Sequence, residues 1–156
     1  MTLIVSPQLA IAYLSRAKEM VKFLLMKKVL FVCVENSCRS QMAEAFGKIH
    51  GQGVIESCSS GSRPSGVVNE KAIAAMEDIG YDLTTHDSKS LEDIPQVEFD
   101  CVVTMGCGDE CPYVRAKKRE DWQIPDPKHM EAAEFRQVRN TIEQRVTRLI
   151  EELREA

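Results

Sequence analysis

Long apolar runs are missing from this 156-residue chain, and aromatic residues are few: one Trp, three Tyr and five Phe. No stretch approaches the roughly 18 apolar residues of a membrane span, so membrane insertion is not expected. Leu3-Ile4-Val5 is short, Pro7 interrupts it, and Ser15, Arg16, Lys18 and Glu19 come soon after, so no signal-peptide apolar region forms. Excess positive charge is missing too. The formal net charge is -4, so no global basic field recruits nucleic acid. Repeats and low-complexity tracts are lacking. The chain is 44% hydrophobic and 28% charged, as a folded domain is, which argues against disorder, collagen and coiled coil.

Cysteine, by contrast, is plentiful: Cys33, Cys38, Cys58, Cys101, Cys107 and Cys111. Such a set serves a secreted disulfide scaffold, a metal site or redox chemistry. A chain of this length builds a core without staples, which weakens the scaffold reading. The expectation is a cytoplasmic protein with its thiols reduced at rest. Zinc would want further ligands at close spacing. His50, His86 and His129 stand singly and no second cysteine pair matches, so no metal and no other cofactor is expected.

Periodicity divides the chain into a helical extension over residues 1–26 and one domain over 27–156. Leu9, Ala12, Tyr13, Ala17, Met20, Val21 and Leu24 recur at helical spacing behind Ser6-Pro7, which predicts an amphipathic packing or dimer helix. Val29 to Val34 is a continuous apolar run, the mark of a buried parallel strand. A helix with Met42, Ala43, Ala45, Phe46 and Ile49 follows, closed by Gly51. Residues 54–58 form a second candidate strand ending in a Ser59-Ser60-Gly61 turn. A helix capped by Asn69 and ended by Gly80 leads to a third strand over 99–105. A weak strand near Trp122 precedes a last helix, with Phe135, Val138, Ile142, Val146, Leu149, Ile150 and Leu153 on one face. The expected fold is α/β: a three-layer, open, four-stranded parallel sheet flanked by helices. Three chemically odd loops, after Val34, Ser59 and Met105, should then converge at one edge of the sheet.

The first of these loops reads Cys33-Val34-Glu35-Asn36-Ser37-Cys38-Arg39-Ser40 between a strand and a helix. Five residues between Cys and Arg can curl so that backbone N–H groups point inward as an anion cradle, and the helix N-terminus adds its positive end. Residues 34–40 are therefore candidate oxyanion ligands. The Arg39 fork suits two oxygens of a tetrahedral oxyanion, and the same donors favour Cys33 as a thiolate nucleophile. Asn36 and Ser40 are candidates to brace the curl. Asp126, stiffened by Pro125 and Pro127, is a candidate general acid, although Pro-Asp-Pro is also a common turn.

In Met105-Gly106-Cys107-Gly108-Asp109-Glu110-Cys111-Pro112 two cysteines stand four apart. On a helical turn that spacing falls within the roughly 4.4 to 6.8 Å between Cα atoms that a disulfide tolerates. A redox pair beside a reactive thiolate is one reading; zinc ligands and two inert thiols are the others. Cys58 and Cys101 lie in apolar strand runs and read as core residues, while Cys38 lies inside the cradle with no nucleophilic role assigned.

Taken together, four stretches resemble the thioredoxin-coupled arsenate reductases, which share the low-molecular-weight protein tyrosine phosphatase fold. They are residues 32–44, residues 59–66, residues 102–112, and Trp122 with Asp126-Pro127. The resemblance implies that Cys33 attacks arsenate held by Arg39 and the loop amides while Asp126 protonates the leaving hydroxide. It also implies that Cys107 and then Cys111 carry a disulfide relay, re-reduced by thioredoxin or by glutaredoxin with glutathione. Phosphate or sulfate would enter the same loop, and a weak phosphatase side activity is implied. Some relatives bind potassium through an Asn, a Glu and a Ser, matching Asn36, Glu44 and Ser59, plus an Asp. Lys89 stands at the last position, so no potassium dependence is expected. A tyrosine phosphatase is the alternative. Against it, Gln41 stands where phosphatases have proline, and Lys128-His129-Met130 follow Asp126-Pro127 in place of tyrosines. A sensor binding the oxyanion without turnover is a third reading. Monomer and homodimer both fit.

Overall fold

The structure is a computed structural model and describes residues 6–106 and 113–156. Its centre is β1 (Lys27–Cys33). Val29, Phe31 and Cys33 point to one face, Leu30 and Val32 to the other, and all five are buried. Burial on both faces is why this run is apolar throughout instead of alternating. β2 (Ile55–Gly61) and β3 (Phe99–Thr104) pair with it in parallel, and β4 (Ala116–Asp121) pairs in parallel with β3. The order is β2-β1-β3-β4. The parallel sheet expected from the sequence is present.

Three helices bear on the face shared by Val29 and Phe31: α2 (Arg39–His50), α3 (Glu70–Glu77) and α4 (Ala132–Glu155). The seven apolar residues expected on one side of α4 are all buried. The opposite face is smaller. Leu30, Val32, Phe99 and Val102 are covered by Leu91 and Ile94, from chain that leaves α3 and returns to β3 with only a short 3-10 helix at Leu83–Thr85. The carboxyl ends of the parallel strands share one edge, so the loops that follow them meet there.

Two elements differ from their sequence patterns. Ser59-Ser60-Gly61 is the end of β2 and not a turn, since Phe31, Val32 and Cys33 pair with these three residues. Buried Ser59 is tolerated there because the neighbouring loop supplies it with a hydrogen-bond partner, whereas the buried Ser60 hydroxyl has none among the described residues. The weak strand ends just before Trp122, and its Ala-Lys-Lys-Arg-Glu-Asp sequence hides it because an edge strand carries charge against unwanted pairing. Cys101 is fully buried as expected, whereas Cys58 is half-buried at the margin of the smaller face.

The N-terminal helix α1 (Pro7–Leu25) forms behind a Ser6 cap, whose Oγ accepts the Leu9 N–H at 3.3 Å. The helix is there, but its expected packing onto the domain is not: none of its residues is buried, and Leu9, Tyr13, Met20 and Leu24 are each more than half exposed. Deleting residues 1–25 is therefore expected to shift the melting temperature by no more than about 2 °C. Ile142→Ala, in the interior, should cost about 2–5 kcal/mol. Thermal and urea denaturation of the two variants check both values.

Candidate active site

The cradle begins where β1 ends, and its shape follows from where its carbonyls go. The Val34 carbonyl accepts from Arg63 N–H, that of Glu35 from Ser65 N–H and Ser88 Oγ, that of Asn36 from Gln41 Nε2, and that of Ser37 from Asn69 N–H. Four successive carbonyls are thus engaged with the body of the protein. No cis peptide is present among the described residues. In a trans peptide the next N–H points opposite to the carbonyl. The N–H groups of residues 35–38 are therefore turned to the inside of the curl. The N–H of Asn36 proves the direction by donating to Cys33 Sγ at 3.2 Å. None of the backbone hydrogen bonds among the described residues uses the N–H of Glu35, Ser37, Cys38 or Arg39, which leaves them for an anion.

Gly61 makes this closeness possible. A Cβ there would stand 2.6 Å from the Val34 carbonyl oxygen and 2.9 Å from Asn36 N.

Asn36 is the hinge of the site, at φ +48° and fully buried. That left-handed region suits asparagine better than most side chains. Its hydrogen bonds can be assigned without ambiguity. Lys89 N–H must donate, so the oxygen facing it at 2.7 Å is Oδ1. Nδ2 then donates to Ser40 Oγ at 2.8 Å and to Ser59 Oγ at 2.9 Å. Ser40 Oγ in turn shares a hydrogen bond with Cys33 Sγ at 2.9 Å. The Ser40 hydroxyl and the Asn36 N–H thus converge on the sulfur.

Gln41 extends the network. Its Nε2 serves the Asn36 carbonyl at 3.0 Å, Asn36 Oδ1 at 2.8 Å and the Asp87 carbonyl at 2.9 Å, so its Oε1 must accept from His86 Nδ1 at 2.9 Å. His86 Nε2 then accepts, from Tyr81 OH at 2.7 Å. Burial pushes the imidazole down to about 4, with the Lys48 and Lys89 ammoniums adding to the effect and Glu44 opposing it. His86 is held neutral in one tautomer.

Glu44 closes the far side. Ser59 Oγ donates a short hydrogen bond to its carboxylate, Lys48 Nζ lies 2.8 Å from one oxygen and Lys89 Nζ 3.4 Å from the other. Burial pushes this carboxyl up, but Lys48, Ser59, Lys89 and His86 outweigh it and hold it below the usual value. Two ammoniums already neutralise the one carboxylate among the residues matched to a potassium site, so these residues do not fit an added monovalent cation.

Cys33, Val34, Glu35, Ser37, Cys38, Arg39, Arg63 and Asp126 line one open cavity of about 210 Å³. Arg39 NH1 is anchored to the carbonyls of Met105 at 2.7 Å and Ile124 at 2.9 Å, and its NH2 stands 3.7 Å from Asp126 Oδ2. Asp126 is half exposed at the mouth. The expected nucleophile, clamp and acid are together. Cys38 shares the cavity, but burial pushes its thiol up to about 11, which suits no nucleophile at neutral pH. Cys107 and Cys111 lie outside the described residues; the chain reaches them from Met105, whose carbonyl Arg39 holds.

Reading the sequence overlooked Arg63 as a cavity residue, Gln41 and His86 as braces, and the bond of Glu35 to Lys128. One signal was available: α2 is buried around most of its circumference yet carries Ser40, Gln41 and Glu44 there, and buried polar groups require partners.

The pH dependence of stability follows from two lowered values. For His86 the unfolded chain takes up its proton near 6.5 and the folded one only near 4. Stability is therefore complete above about pH 6.5 and falls as pH drops through that window, by about 3 kcal/mol at most. Glu44 adds a loss only below its ordinary carboxylate range. His86→Gln should flatten the stability profile between pH 6.5 and 4 while leaving the steeper loss at lower pH, as urea midpoints across pH would show.

The low molecular weight phosphotyrosine protein phosphatase family matches residues 28–156. A glutaredoxin arsenate reductase of Synechocystis is 43% identical over 128 residues, covering 80% of this chain and 97% of its own. An arsenate reductase of Staphylococcus aureus is 40% identical over 121 residues, or 74% of this chain and 90% of the relative. A solved arsenate reductase in its phosphate-binding state superposes with a TM-score of 0.75 at 42% identity, covering 82% of this chain and 99% of that one. With its cradle, its sheet order and these relatives in agreement, the chain belongs to the low molecular weight phosphotyrosine protein phosphatase family, on the side of it where these arsenate reductases stand.

Proposed function

We propose that this protein is an arsenate reductase working through a cysteine nucleophile and a three-cysteine relay. The observation that carries the reading is Arg39. One guanidinium faces the cavity with Cys33 while holding the carbonyls of Met105 and Ile124, the roots of the segments bearing Cys107 and Asp126. The relatives named arsenate reductase support the substrate.

In this reading arsenate sits on the inward N–H groups and Arg39, and Cys33 attacks arsenic. Asp126 gives a proton to the departing hydroxide, which leaves as water. Cys107 then attacks the Cys33 sulfur. The arsenic–sulfur bond breaks, its electron pair leaves with arsenic as arsenite, and a Cys33–Cys107 disulfide forms. Two electrons have moved from two thiols to arsenic. Cys111 attacks Cys107, frees Cys33, and leaves a Cys107–Cys111 disulfide for a dithiol reductant, either thioredoxin or glutaredoxin with glutathione. Such a relay starts from reduced thiols, which fits a cytoplasmic setting. Among the described residues no helix is long and apolar enough to cross a membrane. The domain is assigned to residues 27–156, with 1–26 as an extension.

Phosphotyrosine hydrolysis would need the cradle and Asp126 but no second thiol. Gln41 is committed to Asn36, Asp87 and His86, which ties this cradle to a brace that a proline at that position would lack.

Arsenate-dependent NADPH oxidation, coupled to thioredoxin with its reductase or to glutathione with glutaredoxin, tests the activity. Cys33→Ser should abolish it. Cys107→Ser should abolish arsenate reduction while sparing hydrolysis of an aryl phosphate. Cys111→Ser should allow about one turnover and trap a Cys33–Cys107 disulfide visible by mass spectrometry; normal cycling by this variant would overturn the relay. Exchange of sodium for potassium at constant ionic strength should change neither the turnover nor the melting temperature, since Lys48 and Lys89 already neutralise Glu44.

A further inference from the structure

An acidic side chain in an anion cradle is a problem that this chain has to solve. Glu35 is the second residue after the nucleophile and lines the same cavity as Cys33, Arg39 and Asp126. A free carboxylate there would repel a dianionic substrate at short range. The structure supplies the answer from 93 residues away: Lys128 Nζ sits 2.8 Å from Glu35 Oε1 and 2.9 Å from Oε2.

Lys128 belongs to the acid-bearing turn. Its backbone N–H donates to Asp126 Oδ1 at 3.1 Å, which leaves Oδ2 facing Arg39. The turn is held on its other side by Lys71, whose Nζ donates to the Met130 carbonyl at 2.9 Å. It therefore touches the cradle through two charged contacts, Arg39 at its beginning and Glu35–Lys128 at its end. The Glu35 and Lys128 side chains are 37% and 40% exposed. A pair so wetted adds little to folding, so its value has to be sought in where it holds the turn.

We propose that Glu35 and Lys128 form a strap of two positioning residues, which sets Asp126 over the nucleophile and cancels the charge that Glu35 would otherwise turn on the bound oxyanion. The strap acts through Asp126 and through the electrostatics of the anion site; neither residue transfers a proton. It rests on the reading of Asp126 as the acid and of the cavity as an oxyanion site.

Two effects of opposite sign separate this from a merely structural contact. Glu35→Gln removes a negative charge beside the anion, and Lys128→Gln leaves one unmasked. The dissociation constant for inorganic phosphate, read from Trp122 fluorescence or calorimetry, should fall in the first and rise in the second. Both variants should lose about two- to fivefold in kcat for arsenate, the size expected for a half-exposed pair. The double variant should be no slower than the slower single one, and the exchanged pair Glu35→Lys with Lys128→Glu should recover to within about twofold. In an Asp126→Asn background, Glu35→Gln should cost nothing further in kcat. Phosphate affinities that move in the same direction, additive losses in the double variant, or an undiminished loss in the Asp126→Asn background would each overturn the strap. If the parent turns over no arsenate while the phosphate constants still shift oppositely, the charge-masking half of the strap stands and the reductase reading falls.

Discussion

Everything at the cavity depends on one amide. Asn36 adopts a backbone conformation that few residues enter willingly, and its side chain makes that conformation the favourable one. Each polar atom is spent on a different part of the fold: Oδ1 on the chain at Lys89 and on α2 through Gln41, Nδ2 on β2 through Ser59 and back on α2 through Ser40. The turn of the cradle is therefore tied at once to sheet and helix. Nδ2 also holds the Ser40 hydroxyl that lies 2.9 Å from the Cys33 sulfur, so the amide that shapes the loop places a polar group on that sulfur. The shape of the loop and the surroundings of Cys33 are one decision.

The same economy explains how an acidic chain captures an anion. Inward amides and the Arg39 fork supply local positive potential, while Glu44 behind the loop and Glu35 within it are each assigned a cation: Glu44 has Lys48 and Lys89, Glu35 has Lys128. The net charge of -4 then acts at longer range, where salt screens it. Neutral His86 belongs to this arrangement. A charged imidazole next to Lys48 would add repulsion to the cost of burial, and its tautomer is set by Gln41, so the brace keeps its direction at neutral pH.

Much of this was legible along the chain, and the boundary is physical. β1 was legible because two-sided burial leaves an unbroken apolar run, and the cradle because Cys33 to Ser40 is contiguous. Asp126 was legible through its flanking prolines. What escaped depended on partners distant in the chain. Gln41 meets His86 across 45 residues and Glu35 meets Lys128 across 93, and no local pattern announces either. Ser59-Ser60-Gly61 was misjudged as a turn for the same reason: small polar residues end a strand only where something across the sheet satisfies Ser59 and where Val34 and Asn36 crowd the place of a side chain.

A cradle of amides and one guanidinium offers the same donors to any tetrahedral oxyanion, so it cannot by itself choose reduction over hydrolysis. The choice has to be made where a second thiol meets the nucleophile. In the proposed relay Arg39 would transmit that choice, since its NH1 grips Met105, where the chain departs towards Cys107, and Ile124, where it departs towards Asp126. A displacement at the Met105 end would loosen one of two hydrogen bonds on this guanidinium, and the Ile124 end would feel the change through the same nitrogen. In the proposed relay, substrate release and thiol entry would share this one donor. Fixing the acid turn separately, through Glu35 and Lys128, would let one end of the clamp yield while Asp126 keeps its place.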